Sequence, residues 1–288
     1  MPSGPTLAAG LVVMHDVVGA TTPDAHALVD ALADAPTVVF RHRDLPWQRR
    51  DRASFDIATL RRVRRAIHVT ANLRSRHELE SRGFEGVHFL PDAFELDPSP
   101  GDRDVTRERL GFEDDEIVML QPTRAEARKN VAGAVRFANE LAAIVRNRPL
   151  RLWVRGPVAD EHRHVFDRLV ERCAVPVTVG KVERPEDAYA AADLVVFPAA
   201  WDCSGDVVLE AVAHRRPCVA ANFPVLGELV ACGVRVLPID DPAAAVRFLA
   251  QGEAARIRTL DATARRARVS YSLDDLADRL QTILAGAA

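Results

Sequence analysis

Lysine is nearly absent from this chain. It occurs only at Lys129 and Lys181, so almost all of the 38 basic residues are arginine. Against 41 acidic residues the formal net charge is −3, which excludes the global basic field of a nucleic-acid-binding protein. The cysteines, Cys173, Cys203, Cys218 and Cys232, lack metal-ligand spacing and lie in or beside apolar segments. They read as reduced thiols, not as a disulfide framework. Neither His15 nor His42 stands at ligand spacing from another histidine, and no bound metal is expected. No apolar run approaches the ~18 residues of a membrane span. The amino-terminal stretch MPSGPTLAAGLVVMHD has no basic n-region, so it is not expected to be a signal peptide. What remains is a cytoplasmic protein of 288 residues, with room for about two domains of ~100–200 residues.

Strand-like and helix-like runs alternate throughout, which predicts an α/β chain with parallel sheets. The strand candidates before residue 92 are Leu11–Met14, Thr37–Phe40, Ile67–Thr70 and Val87–Leu90, with helices at Asp24–Ala33, Phe55–Arg65 and Arg74–Arg82 between them. Pro91–Arg103, with Pro98, Pro100 and Gly101 among acidic residues, is the predicted linker. It divides a first lobe, residues 1–95, from a second, residues 104–288. Strands are expected in the second lobe at Ile117–Leu120, Leu150–Val154, Val175–Val179, Leu194–Phe197, Cys218–Ala220 and Val234–Leu237. Helices follow at Ala243–Leu249, Glu253–Arg268 and Leu273–Leu284. A complete doubly wound lobe has about six strands, and the first lobe supplies four, so it is expected to be reduced or to lack its first strands.

The most informative stretch is Ala191–Glu228, AADLVVFPAAWDCSGDVVLEAVAHRRPCVAANFPVLGE. The apolar run Leu194–Phe197 reads as a strand buried on both faces. A loop follows, then a helix pattern beginning near Gly205. Its amino end offers unpaired N–H groups and a positive partial charge suited to phosphate, at the sheet edge where open α/β sheets bind ligands. Two carboxylates sit here: Asp202 in the loop, and Glu210 about two turns beyond it along the helix.

The spacing Asp202-x7-Glu210, preceded by AADLVVFP and followed by EAVAHRRPCVAANFPVLGEL, resembles the E-x7-E block of family 4 glycosyltransferases. Those enzymes use nucleotide-diphospho-sugar donors, retain anomeric configuration, and have the GT-B fold of two Rossmann-like lobes. The resemblance covers residues 105–249. It departs at the loop, where E-G-F-G is replaced by Asp202-Cys203-Ser204-Gly205; the acid is shortened by a methylene and the aromatic is gone.

A diphosphate needs neutralising charge, more so as the bond to the sugar breaks. Gln121–Asn130, QPTRAEARKN, follows a strand and leads into a helix. Arg124 and Lys129 are placed there for an anion site, though taken alone the loop reads more readily as a solvated basic surface. The resemblance implies that Arg124 and Lys129 clamp the diphosphate, that Glu210 accepts from the ribose hydroxyls, and that Asp202 contacts the sugar. It further implies that Gly156 lies beside the nucleotide, that the backbone at Val182 meets the base, and that Glu228 lies near the sugar pocket. A turn glycine at Gly156 and a helix cap at Glu228 are the structural alternatives. His42, at a strand end, matches a histidine that the family directs at the reacting sugar. His15 occupies the equivalent end of the preceding strand, and Lys181 reads equally as a surface residue.

Residues 41–65 hold nine arginines against three aspartates. This is either a solvated face or a surface attracted to an anionic acceptor or membrane, at about 1 kcal/mol per basic residue near lipid. The expected protein is a glycosyltransferase with a nucleotide-sugar donor, an unidentified acceptor and no metal. A catalytically degenerate sugar-nucleotide binder is the alternative from another class. A nucleotide-sugar epimerase is a third reading, disfavoured because no paired acid and base are evident.

Overall fold

The structure is a computed structural model that describes residues 12–15, 37–45, 48, 61, 63 and 66–286. It divides into two compact units, one of residues 1–92 with 274–288, the other Ala93–Leu273.

Among its described residues the first unit carries four parallel strands in the order β1-β2-β3-β4: β1 (Val12–His15), β2 (Val38–His42), β3 (Ala66–Thr70) and β4 (Val87–Phe89). Helix α1 (Leu73–Ser81) starts where Asn72 accepts from the Ser75 amide at 2.7 Å, an Asn cap on an orphan donor. The predicted helix Asp24–Ala33, most of Phe55–Arg65 and most of the arginine-rich stretch lie outside the described residues. So does the side chain of His15.

The second unit contains α2 (Arg103–Leu110), β5 (Ile117–Gln121), α3 (Val131–Ile144), β6 (Leu150–Val154), α4 (Arg163–Glu171), β7 (Val177–Val179), α5 (Pro185–Ala191), β8 (Leu194–Phe197), α6 (Asp206–Ala213), β9 (Cys218–Ala220), α7 (Leu226–Ala231), β10 (Leu237–Pro238), α8 (Pro242–Leu249) and α9 (Glu253–Tyr271). All six strands are parallel, in the order β10-β9-β8-β5-β6-β7. The apolar run of β8 is explained by burial on both faces. Leu194 and Val196 enter one hydrophobic layer, Val195 and Phe197 the other. β10 begins later than the predicted Val234, because the Val234 amide donates to Leu229 O and closes α7 after Gly233, whose φ is 83°.

Two boundaries differ from the sequence reading. The predicted linker does not hang free. Leu96 is buried in the second unit's core, Phe94 N donates to Tyr271 O at 2.7 Å, and Arg215 donates to Leu96 O at 2.8 Å. The last helix, α10 (Leu276–Ala285), belongs with the first unit and not with the second lobe. Its Ile283, with Leu276 and Leu284, packs on Val39, Ile67, Val69 and Leu90, an apolar surface that must be covered.

His42 also differs from expectation. Instead of leaving the sheet end toward a substrate, its ring is fully buried, with Nε2 3.1 Å from His68 Nδ1 and the two rings stacked at 5.4 Å. Period-2 alternation puts His42 on the same covered face as Phe40, beside His68 on β3. Burial, then the neighbouring His68, pushes His42 down to about 3, and burial pushes His68 down to about 4. Both rings are therefore neutral at neutral pH.

Candidate functional site

In the second sheet the chain runs outward from β5 through β6 to β7, then returns and runs the other way from β8. β5 and β8 are neighbours, so the topological switch point lies at their carboxyl ends. Two loops meet there: the one from Gln121 to Asn130 and the one from Pro198 to Gly205.

The first loop is built on its own polar groups. Gln121 is buried and its Nε2 donates to Lys129 O at 3.3 Å. A 3-10 turn, Ala127–Lys129, delivers the chain to Asn130, which holds the left-handed conformation at φ 52°. Asn tolerates that region because its short side chain bonds locally. Here it accepts from Gly133 N at 3.2 Å, capping α3, and donates to Pro198 O at 2.9 Å. A Cβ on Gly133 would lie 2.7 Å from Asn130 Nδ2 and 2.9 Å from Pro198 Cβ, so glycine is required for the two loops to meet.

Lys129 is thereby carried over the switch point. Its side chain is only 14% exposed, with Nζ 3.7 Å from Asp202 Oδ2 and 5.6 Å from the centroid of the Phe197 ring. Arg124 on the same loop is 63% exposed, with Glu126 at 3.9 Å. Gly156 supports Arg124 from behind, since a Cβ there would lie 2.6 Å from Arg124 Cα. The loop after β6 is sewn to Ala125 by bonds from Ala125 N to Pro157 O and from Ala159 N to Ala125 O, at 3.0 and 3.1 Å. The glycine thus permits two backbones to touch.

On the second loop, Asp202 Oδ1 accepts from Gly205 N at 2.7 Å and Ser204 N at 3.2 Å. The shortened acid turns back on its own loop and meets Lys129 with its other oxygen. Gly205, at φ 72°, precedes α6, and a Cβ on it would lie 2.4 Å from Leu229 Cδ1. Glu210 stands on α6 and accepts a hydrogen bond from the buried Tyr189 phenol on α5. Burial raises the Glu210 pKa most, Tyr189 opposes that, Asp206 adds to it, and Arg155 and Lys129 pull it back. Glu210 is therefore within electrostatic reach of both Lys129 and Arg155.

Val182 is fully buried in the core, and Lys181 beside it is exposed. Glu228, in the first turn of α7, is half-buried within electrostatic reach of Tyr271. His42 belongs to the first unit.

Three residues here were not singled out by sequence reasoning. Asn130 fixes the loop crossing. Arg155 follows β6, its amide bonded to Gln121 O at 3.0 Å and its buried Nε without a hydrogen-bond partner among the described residues. Tyr189 reaches Glu210 from another helix. Asn130 and Arg155 lie inside stretches whose neighbours carried signals. Tyr189 carries none, because its relation to Glu210 exists only in three dimensions. Among the described residues no group of three or more His, Cys, Asp or Glu side chains is arranged to hold a metal ion.

The chain and its fold have known counterparts. Residues 120–251 match the family model described as glycosyl transferases group 1. The chain is 34% identical over 194 residues to a D-inositol 3-phosphate glycosyltransferase of Rhodococcus opacus, covering 63% of this chain and 43% of that protein. The enzyme of that name from Rhodococcus erythropolis is 31% identical over 231 residues, covering 75% of this chain and 52% of that protein. The chain thus spans about half the length of the curated relatives it matches. Among solved structures, sucrose-phosphate synthase from Thermosynechococcus elongatus superposes with a TM-score of 0.74 at 18% identity, over 96% of this chain and 73% of that one. Anabaena HepE, solved in complex with UDP and glucose, gives 0.72 at 18% identity, over 96% and 78%. By its matched domain and its relatives the chain is similar to the family 4-like glycosyltransferases, and its fold is the GT-B architecture of the solved neighbours.

Proposed function

We propose that the second unit binds a nucleotide-diphospho-sugar and that the chain transfers the sugar to an acceptor with retention of configuration. The reading rests on one observation above the others. Lys129, on the loop after β5, and Glu210, on α6, are far apart in sequence and come within electrostatic reach of one another near the switch point. Arg124 and Lys129 would hold the diphosphate and take up the charge that develops on it as the glycosidic bond breaks. Electrostatic stabilisation of this kind is worth about 3–4 kcal/mol per donor removed. Glu210 would accept from the ribose hydroxyls, and the backbone near Val182 would meet the base.

Asp202, with one oxygen on its own loop amides and the other on Lys129, would reach the sugar through a water or by releasing Lys129 when the phosphates arrive. Charge neutralisation is assigned to side chains and not to a metal. HepE was solved with UDP, which makes UDP the first donor product to try. The curated relatives are named for D-inositol 3-phosphate, which makes that polyol phosphate the first acceptor to try. The arginine excess of residues 41–65 would favour such an anionic acceptor or an anionic membrane face.

The test is time-dependent release of nucleoside diphosphate from a panel of nucleotide sugars, with the anomer of the product read by NMR. Release that is abolished in Lys129→Ala and Glu210→Ala supports transfer. Binding of the diphosphate without release would make the chain a binding protein only. No binding of any nucleoside diphosphate would end the reading.

A further inference from the structure

Glu210 does not stand alone on α6. Its carboxylate accepts from the Tyr189 phenol, and Tyr189 is fully buried. The Tyr189 ring is held by His214, stacked at 4.6 Å with the planes 8° apart. Its backbone is held as well, because Arg216 Nε donates to Tyr189 O at 2.7 Å. A phenol fixed at both ring and backbone cannot follow a moving carboxylate, so the carboxylate must come to it.

We infer that Tyr189 is the positioning residue of the nucleotide site: it engages one oxygen of Glu210 and thereby presents the other to the ribose of a bound nucleoside diphosphate. This rests on the nucleotide-sugar reading of the same site. A glutamate on the wall of a helix has several rotamers, and a carboxylate that must bridge two adjacent hydroxyls loses affinity when its orientation is unset. The hydrogen bond from a fixed phenol selects one rotamer before the ligand arrives. It also favours the ionised acid, which a partly buried carboxyl otherwise resists. Other charged or titratable groups facing Glu210 are Asp206 on its own helix, Arg155 at the end of β6, and Lys129 on the loop after β5. Asp206 opposes ionisation, whereas Arg155 and Lys129 favour it. Tyr189 also faces Cys218 and His214, both of which are neutral at neutral pH.

The experiment uses the full chain, the Tyr189→Phe and Glu210→Gln variants, and the double variant. UDP, GDP, ADP and inorganic pyrophosphate are titrated by calorimetry from pH 5 to pH 8. Tyr189→Phe keeps the ring, the stacking and the backbone, and its thermal melt reports whether the fold is intact. The expected result is nucleoside diphosphate binding weakened roughly tenfold or more, as for loss of a hydrogen bond to a charged group, with pyrophosphate binding unchanged. The acidic limb of the binding profile should move to higher pH, because loss of the phenol raises the Glu210 pKa. Adding Tyr189→Phe to Glu210→Gln should cost nothing further. Equal affinity and an unshifted limb in Tyr189→Phe would overturn the inference and leave the functional reading intact. So would a parallel loss of pyrophosphate binding, or an additive double variant. If the unaltered chain binds no nucleoside diphosphate, the functional reading falls and this inference with it.

Discussion

The side chain of Asn130 joins the two halves of the second sheet, donating to the carbonyl of Pro198 at 2.9 Å while its oxygen caps α3. The bond crosses the switch point between β5 and β8, just behind Lys129. Asn130→Gly keeps the left-handed backbone and removes both bonds; Asn130→Ala adds backbone strain. Capping losses cost about 0.5–2 kcal/mol and a non-glycine in this region about 1–2 kcal/mol more. Chemical denaturation should therefore rank the proteins as unaltered, then Gly, then Ala. A variant order with Ala above Gly would show that the αL geometry is not what asparagine serves here.

Lys129→Ala removes the cation nearest Asp202 and, on the proposed function, one of the two that hold the diphosphate. Release of nucleoside diphosphate should fall by about 10²–10³-fold, mainly in kcat, as for other donors that act on developing charge. A change confined to KM would instead assign Lys129 to ground-state binding.

Gly205→Ala should destabilise the second unit. The residue sits at φ 72°, and the added methyl meets Leu229 Cδ1 at 2.4 Å. Strain and overpacking together cost about 2–4 kcal/mol, which thermal denaturation will read as a lowered Tm. An unchanged Tm would mean that Leu229 and the loop relax freely.

The first unit should lose stability as pH falls. His42 and His68 are depressed in the folded protein, to about 3 and about 4, so the unfolded chain binds more protons below the ordinary histidine value of 6.5. Their contribution is complete above pH 6.5 and declines below it, at up to about 1.4 kcal/mol per pH unit for each ring. Urea unfolding followed at pH 7, 6 and 5 tests this. A His42→Phe, His68→Phe double variant should flatten the slope, and an unchanged slope in it would place the acid sensitivity elsewhere.

If side chains alone neutralise the diphosphate, chelation with EDTA should leave the rate of nucleoside diphosphate release unaltered. A loss restored by a divalent ion would reassign part of that charge to a metal.

The alternation of strands and helices was legible because its signals are local. Leu194–Phe197 is apolar throughout since both faces are covered, and the strands fall within a few residues of their predicted places. The pairing of Lys129 with Asp202 was legible only as two loops, each at a strand's carboxyl end. His42 shows the limit: its strand-end position was readable, but the direction of its ring depended on Phe40 and His68 taking the same face. The return of α10 to the first unit was hidden too, because an apolar helix face does not say which patch it covers.

The sequence by itself determined that this is a parallel α/β chain, and it placed Lys129 and Asp202 in loops that follow strands, because burial, periodicity and turn chemistry act over a few residues. The tertiary structure alone decided that Tyr189 should hold Glu210, that Gly156 should support Arg124, and that His42 should lie inside its unit. Those relations join residues whose separation along the chain carries no information, and only packing brings them within reach.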